Sequence, residues 1–137
     1  MIALFSGCSI FRSNSIMFSI DTDDKANFGS PVLMDVLFIN KDDLSKLVMS
    51  YSAKEWFDKR EQFLRDNPDE DDIQSQLYEW IPGQKKTEIK AKGNGAREAI
   101  IFVNYSRSPS ANRMRVITGS SLRFAFKESS YSFVVAD

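Results

Sequence analysis

The sequence has no histidine, and Cys8 is its one cysteine. Without histidine the commonest metal ligand and general base is missing. Ser-His-Asp and Cys-His catalytic arrangements are therefore excluded. One cysteine cannot close an internal disulfide or build a cysteine-rich zinc site. No run of about 18 apolar residues occurs, so no segment reads as a helix that crosses a bilayer. Excess charge is missing too: 18 basic residues face 19 acidic ones, for a net charge of -1. That balance leaves no electrostatic footprint for nucleic acid. What the chain does have is apolar mass. Of its 137 residues, 42% are hydrophobic and 11 are Phe. This is enough to bury one core, argues against wholesale disorder, and suits a single domain.

The lone thiol closes the stretch Leu4-Phe5-Ser6-Gly7-Cys8. An apolar residue, one or two small residues and then cysteine is how a bacterial lipoprotein signal ends. Three residues precede Leu4, so this reading expects the charged and most of the apolar part of the signal upstream of Met1. The chemistry requires Cys8 to lead the mature chain. Its sulfur takes a diacylglycerol, and its freed amine takes a third acyl chain. Each buried methylene contributes about 0.8 kcal/mol, so three chains hold a small domain firmly. Residues 1–8 are then a signal remnant and residues 9–15 a polar tether. The competing reading is an inert free thiol in a frayed N-terminus.

Beyond the tether the pattern is mostly β, and residues 16–137 read as one domain. Residues 15–21 alternate loosely as a first strand. Residues 22–30 (TDDKANFGS) are polar and turn-forming. Pro31 opens a second strand, residues 32–39 (VLMDVLFI), where Asp35 alone breaks an apolar run. Such a run expects burial on both faces.

The period then changes to that of a helix, giving a helical insertion over residues 42–67. Asp42 or Asp43 is placed to cap a helix carrying Leu44, Leu47, Val48 and Tyr51. Ser52 and Glu55 form a capping box for a second helix. Its apolar stripe is Trp56, Phe57, Arg60, Phe63 and Leu64. Asn67-Pro68 ends it. A third strand follows over residues 73–81, with Ile73, Leu77 or Tyr78, and Trp80 as candidates for burial. Pro82-Gly83 turns the chain into a lysine-rich edge strand over residues 86–92. After Gly93-Asn94-Gly95 come a core strand (residues 99–105), a Ser/Pro loop and three short strands (residues 114–118, 122–126 and 131–135). Short strands parted by turn residues expect a β-sandwich.

No set of residues in this sequence suggests catalysis, a metal or a cofactor. Carboxylates crowd at Asp21, Asp23 and Asp24 and again over residues 69–72, without the spacing or glycine of a calcium loop. Both read as solvated loops. Gly93-Asn94-Gly95 lacks the lysine and hydroxyl of a phosphate loop and reads as a turn. Trp56, Phe57 and Phe63 read as core more readily than as a partner groove. Arg107, Arg113 and Arg115 lie near the Ser/Pro loop, where the default is a solvated edge.

The order of these features resembles the TssJ-type outer-membrane lipoproteins of the type VI secretion membrane complex. Four blocks carry the resemblance. They are the motif ending at Cys8, the Asp/Asn-rich loop running into Ser30-Pro31-Val32, and the aromatic helical insertion leading to Pro82-Gly83-Gln84. The last is the apolar strand over residues 100–105 followed by Asn112-Arg113-Met114-Arg115. The resemblance implies a transthyretin-like β-sandwich, mainly β, with the helical insertion between its second and third strands. It implies a non-enzymatic protein, held at the periplasmic face of the outer membrane by acyl chains on Cys8. The implied partner is the periplasmic domain of an inner-membrane secretion-system subunit. The family's contact loop carries over to Asp23, Asp24, Lys25, Asn27 and Phe28. Phe28 could equally fold back onto the sandwich. Two rival readings stand beside this one. One is a periplasmic ligand-binding or inhibitor lipoprotein of β-sandwich fold. The other is an enzyme working with two carboxylates across a cleft.

Overall fold

The computed structural model of the protein describes residues 15–105 and 112–136. Within them lie strands β1 (Ser15–Thr22) and β2 (Val32–Ile39), helices α1 (Asp42–Met49) and α2 (Ala53–Asp66), and strands β3 (Ile73–Trp80), β4 (Lys85–Lys92), β5 (Glu98–Asn104), β6 (Arg113–Ile117), β7 (Ser121–Phe126) and β8 (Tyr131–Ala136). Two four-stranded sheets form, in the orders β4-β1-β7-β8 and β3-β2-β5-β6. β1 runs parallel to β7, and the other neighbours are antiparallel. The chain is a β-sandwich with its helices inserted between the second and third strands, as the pattern of residues anticipates.

Strand periodicity decides what meets what. Side chains two apart share a face. Ile16, Phe18 and Ile20 of β1 and Leu122, Phe124 and Phe126 of β7 therefore point the same way. They meet Val32, Met34, Val36 and Phe38 of β2 and Ala99, Ile101 and Val103 of β5. The opposite face of β2 and β5 offers Leu37, Ile100 and Phe102. These pack against Val48, Ala53, Trp56 and Phe63 of the helices. Trp56 stacks on Phe102 at 5.6 Å and meets Phe63 edge-on at 5.4 Å. β2 is thus covered on both sides, which explains its nearly unbroken apolar run. On β3 the choice between Leu77 and Tyr78 falls to Tyr78, which shares Trp80's face and stacks on it at 5.2 Å. Leu77 is exposed.

The exception in β2 has a partner. Asp35 is fully buried on the helix-facing side. Its carboxylate accepts from Trp56 Nε1 (2.8 Å), Arg60 Nε (2.9 Å) and Ser75 Oγ (2.6 Å). The Arg60 guanidinium also donates to Ser75 Oγ at 2.8 Å. One acid in an apolar strand and one arginine in an apolar helical stripe therefore satisfy each other. The network fixes α2 on β2 and β3.

The helix starts follow their local chemistry. At α2, Ser52 Oγ accepts from the Glu55 N–H (3.1 Å), and Glu55 Oε1 accepts from the Ser52 N–H (2.9 Å). The backbone amide of Ser52 holds the Glu55 carboxyl below its ordinary pKa. At α1 the N-cap is Lys41, one residue ahead of the expected aspartates. Asp42 and Asp43 instead occupy the first turn, where the helix dipole favours them. Asp43 accepts from the Leu44 N–H at 3.0 Å.

Candidate functional site

The loop between β1 and β2 carries the residues expected to meet a partner. Its backbone is tied to two other turns at the same end of the sandwich. From the β3–β4 turn, the Gly83 N–H donates to the Asp23 carbonyl at 3.0 Å, and the Thr22 N–H donates to the Gln84 carbonyl at 2.9 Å. From the β7–β8 turn, the carbonyls of Phe126, Lys127 and Glu128 accept from the N–H groups of Asp23 (2.9 Å), Asn27 (3.0 Å) and Phe28 (3.0 Å). Tyr105 supports that turn from below, its hydroxyl donating to the Lys127 carbonyl at 2.6 Å. Burial pushes the Tyr105 phenol up to about 12, against a smaller opposing pull from the Asn27 backbone.

The loop pays in backbone conformation for its shape. Asn27 (φ 51°), Phe28 (φ 54°) and Gly29 (φ 81°) follow one another in the left-handed region. Asn and Gly visit it readily. For Phe28 the cost is roughly 1–2 kcal/mol. Strain of this kind persists where surrounding bonds over-determine the conformation, and it clusters at sites that bind. Gly83 is equally constrained. Its φ is +88°, and a Cβ there would come within 2.9 Å of Asp24 Oδ1.

The expected contact residues divide into two groups. Asp23, Asp24 and Lys25 are exposed, and Phe28 is 47% exposed. Asn27 is buried, and its amide donates to the Pro31 carbonyl at 3.1 Å. It therefore shapes the loop from within. Ile81, just ahead of the β3–β4 turn, is exposed as well. The rim thus presents two apolar side chains beside a group of carboxylates. Asp21 there pairs loosely with Lys85 at 3.6 Å. Ile81 had no sequence signal, because its neighbour Trp80 took the place of the buried residue.

Other singled-out residues have structural partners. Arg113 donates to the Tyr51 carbonyl at 2.8 Å, tying the end of α1 to β6. Asn94, in the Gly-Asn-Gly turn, donates to the carbonyls of Phe38 (3.1 Å) and Glu70 (2.9 Å) and so anchors the acidic loop. Cys8 and Arg107 lie outside the described residues. A crevice of about 680 Å³ opens between the end of α2 and β3, lined by Arg60, Leu64, Arg65, Asn67, Ile73 and Gln74 among others. Among the described residues, no cluster of three or more His, Cys, Asp or Glu is placed to hold a metal ion. No helix among them is long and apolar enough to cross a membrane.

No protein-family model and no curated protein matches the chain. Solved structures do. The type VI secretion lipoprotein TssJ1 from Pseudomonas aeruginosa superposes with a TM-score of 0.66 at 11% identity, over 92% of this chain and 98% of TssJ1. The chain has the TssJ fold. Lip from Serratia marcescens, a membrane-bound component of the type VI secretion system, gives a TM-score of 0.65 at 13% identity, over 90% of this chain and 97% of Lip. Both likenesses run nearly end to end.

Proposed function

We propose that this chain is a lipid-anchored, non-enzymatic component of a type VI secretion membrane complex. Acyl chains on Cys8 hold it at the periplasmic face of the outer membrane. Its β1–β2 loop binds the periplasmic domain of an inner-membrane subunit, and so links the two membranes. The observation that carries this reading is the match of fold to TssJ1 and Lip across almost the whole of all three chains. The sequence motif ending at Cys8 and the strained, exposed Phe28 support it independently.

In this reading Asp23, Asp24, Lys25 and Phe28 make the contact, and Asn27 holds the loop in shape. Phe28 is the apolar anchor and the charges around it set orientation. Strain and recognition can be separated by one substitution. Phe28→Gly removes the side chain and relieves the left-handed backbone. Affinity for the purified periplasmic domain of the subunit, measured by calorimetry, should fall about tenfold or more, the expected loss of a buried aromatic anchor. Thermal stability should hold or rise. Unchanged affinity would remove the loop from the interface.

The rival ligand-binding reading has the α2–β3 crevice as its natural site. The buried side-chain atoms lacking a hydrogen-bond partner among the described residues are Thr22 Oγ1, Trp80 Nε1 and Asn112 Nδ2. None of those residues lines the crevice. The adaptor reading is preferred because the likeness in fold to TssJ1 and Lip spans nearly the whole chain.

A further inference from the structure

The edges of the two sheets are not guarded alike. An edge strand offers a row of unpaired N–H and C=O groups to any other strand, and proteins blunt such edges with charge, proline or bulges. β4 carries Lys85, Lys86, Glu88, Lys90 and Lys92. It also bulges: Phe18 faces Ile89 while Ile20 faces Lys86, and Glu88 has a φ of 55°. β6 carries Arg113 and Arg115, and β3 carries Glu79. β8 has none of these devices. Its sequence, Tyr-Ser-Phe-Val-Val-Ala, has no charge, no proline and no glycine. Its register against β7 is unbroken from Tyr131 to Ala136. Among the described residues no strand pairs with its outer edge.

From Phe133 to Val135, β8 is also exposed on both faces, whereas Tyr131 at its start packs on the core. Phe133 (40%) and Val135 (53%) share the face of the sandwich interior, and Val134 (58%) points the other way. Their cross-strand neighbours Phe124 and Leu122, one strand inward, are buried. Burial is lost across a single strand spacing, with apolar side chains left uncovered.

We propose that β8 pairs antiparallel with β8 of a second copy, joining two four-stranded sheets into one of eight strands. Charge selects the occupant. A strand bearing lysine or glutamate would set unpaired charge against Phe133 and Val135, at a desolvation cost. An uncharged, apolar, already extended strand carries no such cost, and β8 is a strand of that description. β7 holds it extended, so little ordering entropy is lost on pairing. A two-fold axis through Val134 puts Phe133 opposite Val135 of the copy, an aromatic with a β-branched residue, on one face. On the other face Val134 meets its own copy. The same operation on β4 would bring two lysine-rich strands together. A standard interface covers roughly 800 Å² per partner, and one six-residue edge covers less. The dimer is therefore weak, with a Kd of about micromolar or above.

Sedimentation velocity of the full chain, from about 5 to 500 μM, reads this directly. Wild type should shift from monomer to dimer across that range. Val134→Glu is the diagnostic variant. Within one copy the new carboxylate faces Arg123 across the ladder, so the fold tolerates it. Across the two-fold axis it faces another carboxylate, and association should weaken at least tenfold. Ile117→Lys alters an exposed strand residue outside β8, opposite Glu98, and should leave the dimer unchanged. Circular dichroism checks that each variant is folded. A wild type that stays monomeric throughout overturns the proposal, as does a dimer that Val134→Glu leaves intact. Loss of the secretion complex by folded Val134→Glu, with wild type monomeric, would assign the edge to a strand of another protein and also overturn it. The test is independent of the β1–β2 loop, whose failure would show in the Phe28→Gly affinity alone.

Discussion

Replacing Asp35 by alanine tests the contact that seats the helical layer on the sandwich. The carboxylate is buried and accepts three side-chain hydrogen bonds at 2.6–2.9 Å. Its removal leaves the indole N–H of fully buried Trp56 without an acceptor and the Arg60 charge without its counter-ion. Breaking a buried ion pair from one side typically costs about 3–5 kcal/mol. The Arg60 side chain keeps 19% of its surface in solvent, which softens the penalty. The expected loss is therefore at the low end, about 3 kcal/mol. For a domain of this size that lowers Tm by roughly 10 °C. Circular dichroism melts and urea titration of Asp35→Ala measure it. The double variant Asp35→Leu/Arg60→Met replaces the pair by apolar side chains and should recover much of the loss. A loss below about 1 kcal/mol, or strict additivity of Asp35→Ala with Arg60→Ala, would refute the reasoning, since coupled partners cannot be additive.

Three further outcomes follow from named contacts. Ser52→Ala removes the side-chain acceptor at the start of α2 and should cost about 1 kcal/mol in denaturant unfolding. Gly83→Ala meets both a positive φ and Asp24 Oδ1, so it should destabilise the fold, read by its melting curve, by more than the few tenths expected at an open turn. Burial raises the phenol of Tyr131 to about 12, as it does that of Tyr105. The neutral phenol is the form the fold prefers, so this stability is fully present below the ordinary value of about 10 and is lost as pH rises from there through about 12. Ultraviolet titration of the folded protein should show tyrosines ionising late, in step with alkaline unfolding.

The strands and helices were legible in the sequence because burial follows period. The capping box at Ser52 and Glu55, the doubly covered β2 and the lysine-guarded β4 all carry local signals. Asp35 and Arg60 also had a signal, each being a lone charge inside an apolar pattern, and opposite charges so placed are candidates to meet. Their contact needs α2 to cross β2 at one height, which periodicity does not specify. The parallel pairing of β1 with β7 is likewise a matter of long-range topology. The residue types of the β1–β2 loop marked it as irregular. The burial of Asn27 and the left-handed Phe28 arise from hydrogen bonds to the distant β7–β8 turn, so no local pattern announces them. The exposure of β8 is hidden for the same reason: its apolar sequence reads as core, and only its place at the end of a sheet uncovers it.

The most direct measurement is intact mass spectrometry of the native protein extracted from cell membranes. The account predicts a mature chain beginning at Cys8, heavier than its sequence by a thioether-linked diacylglycerol and one amide-linked acyl chain. Native protein recovered from the soluble fraction with residues 1–8 present and Cys8 unmodified would contradict it.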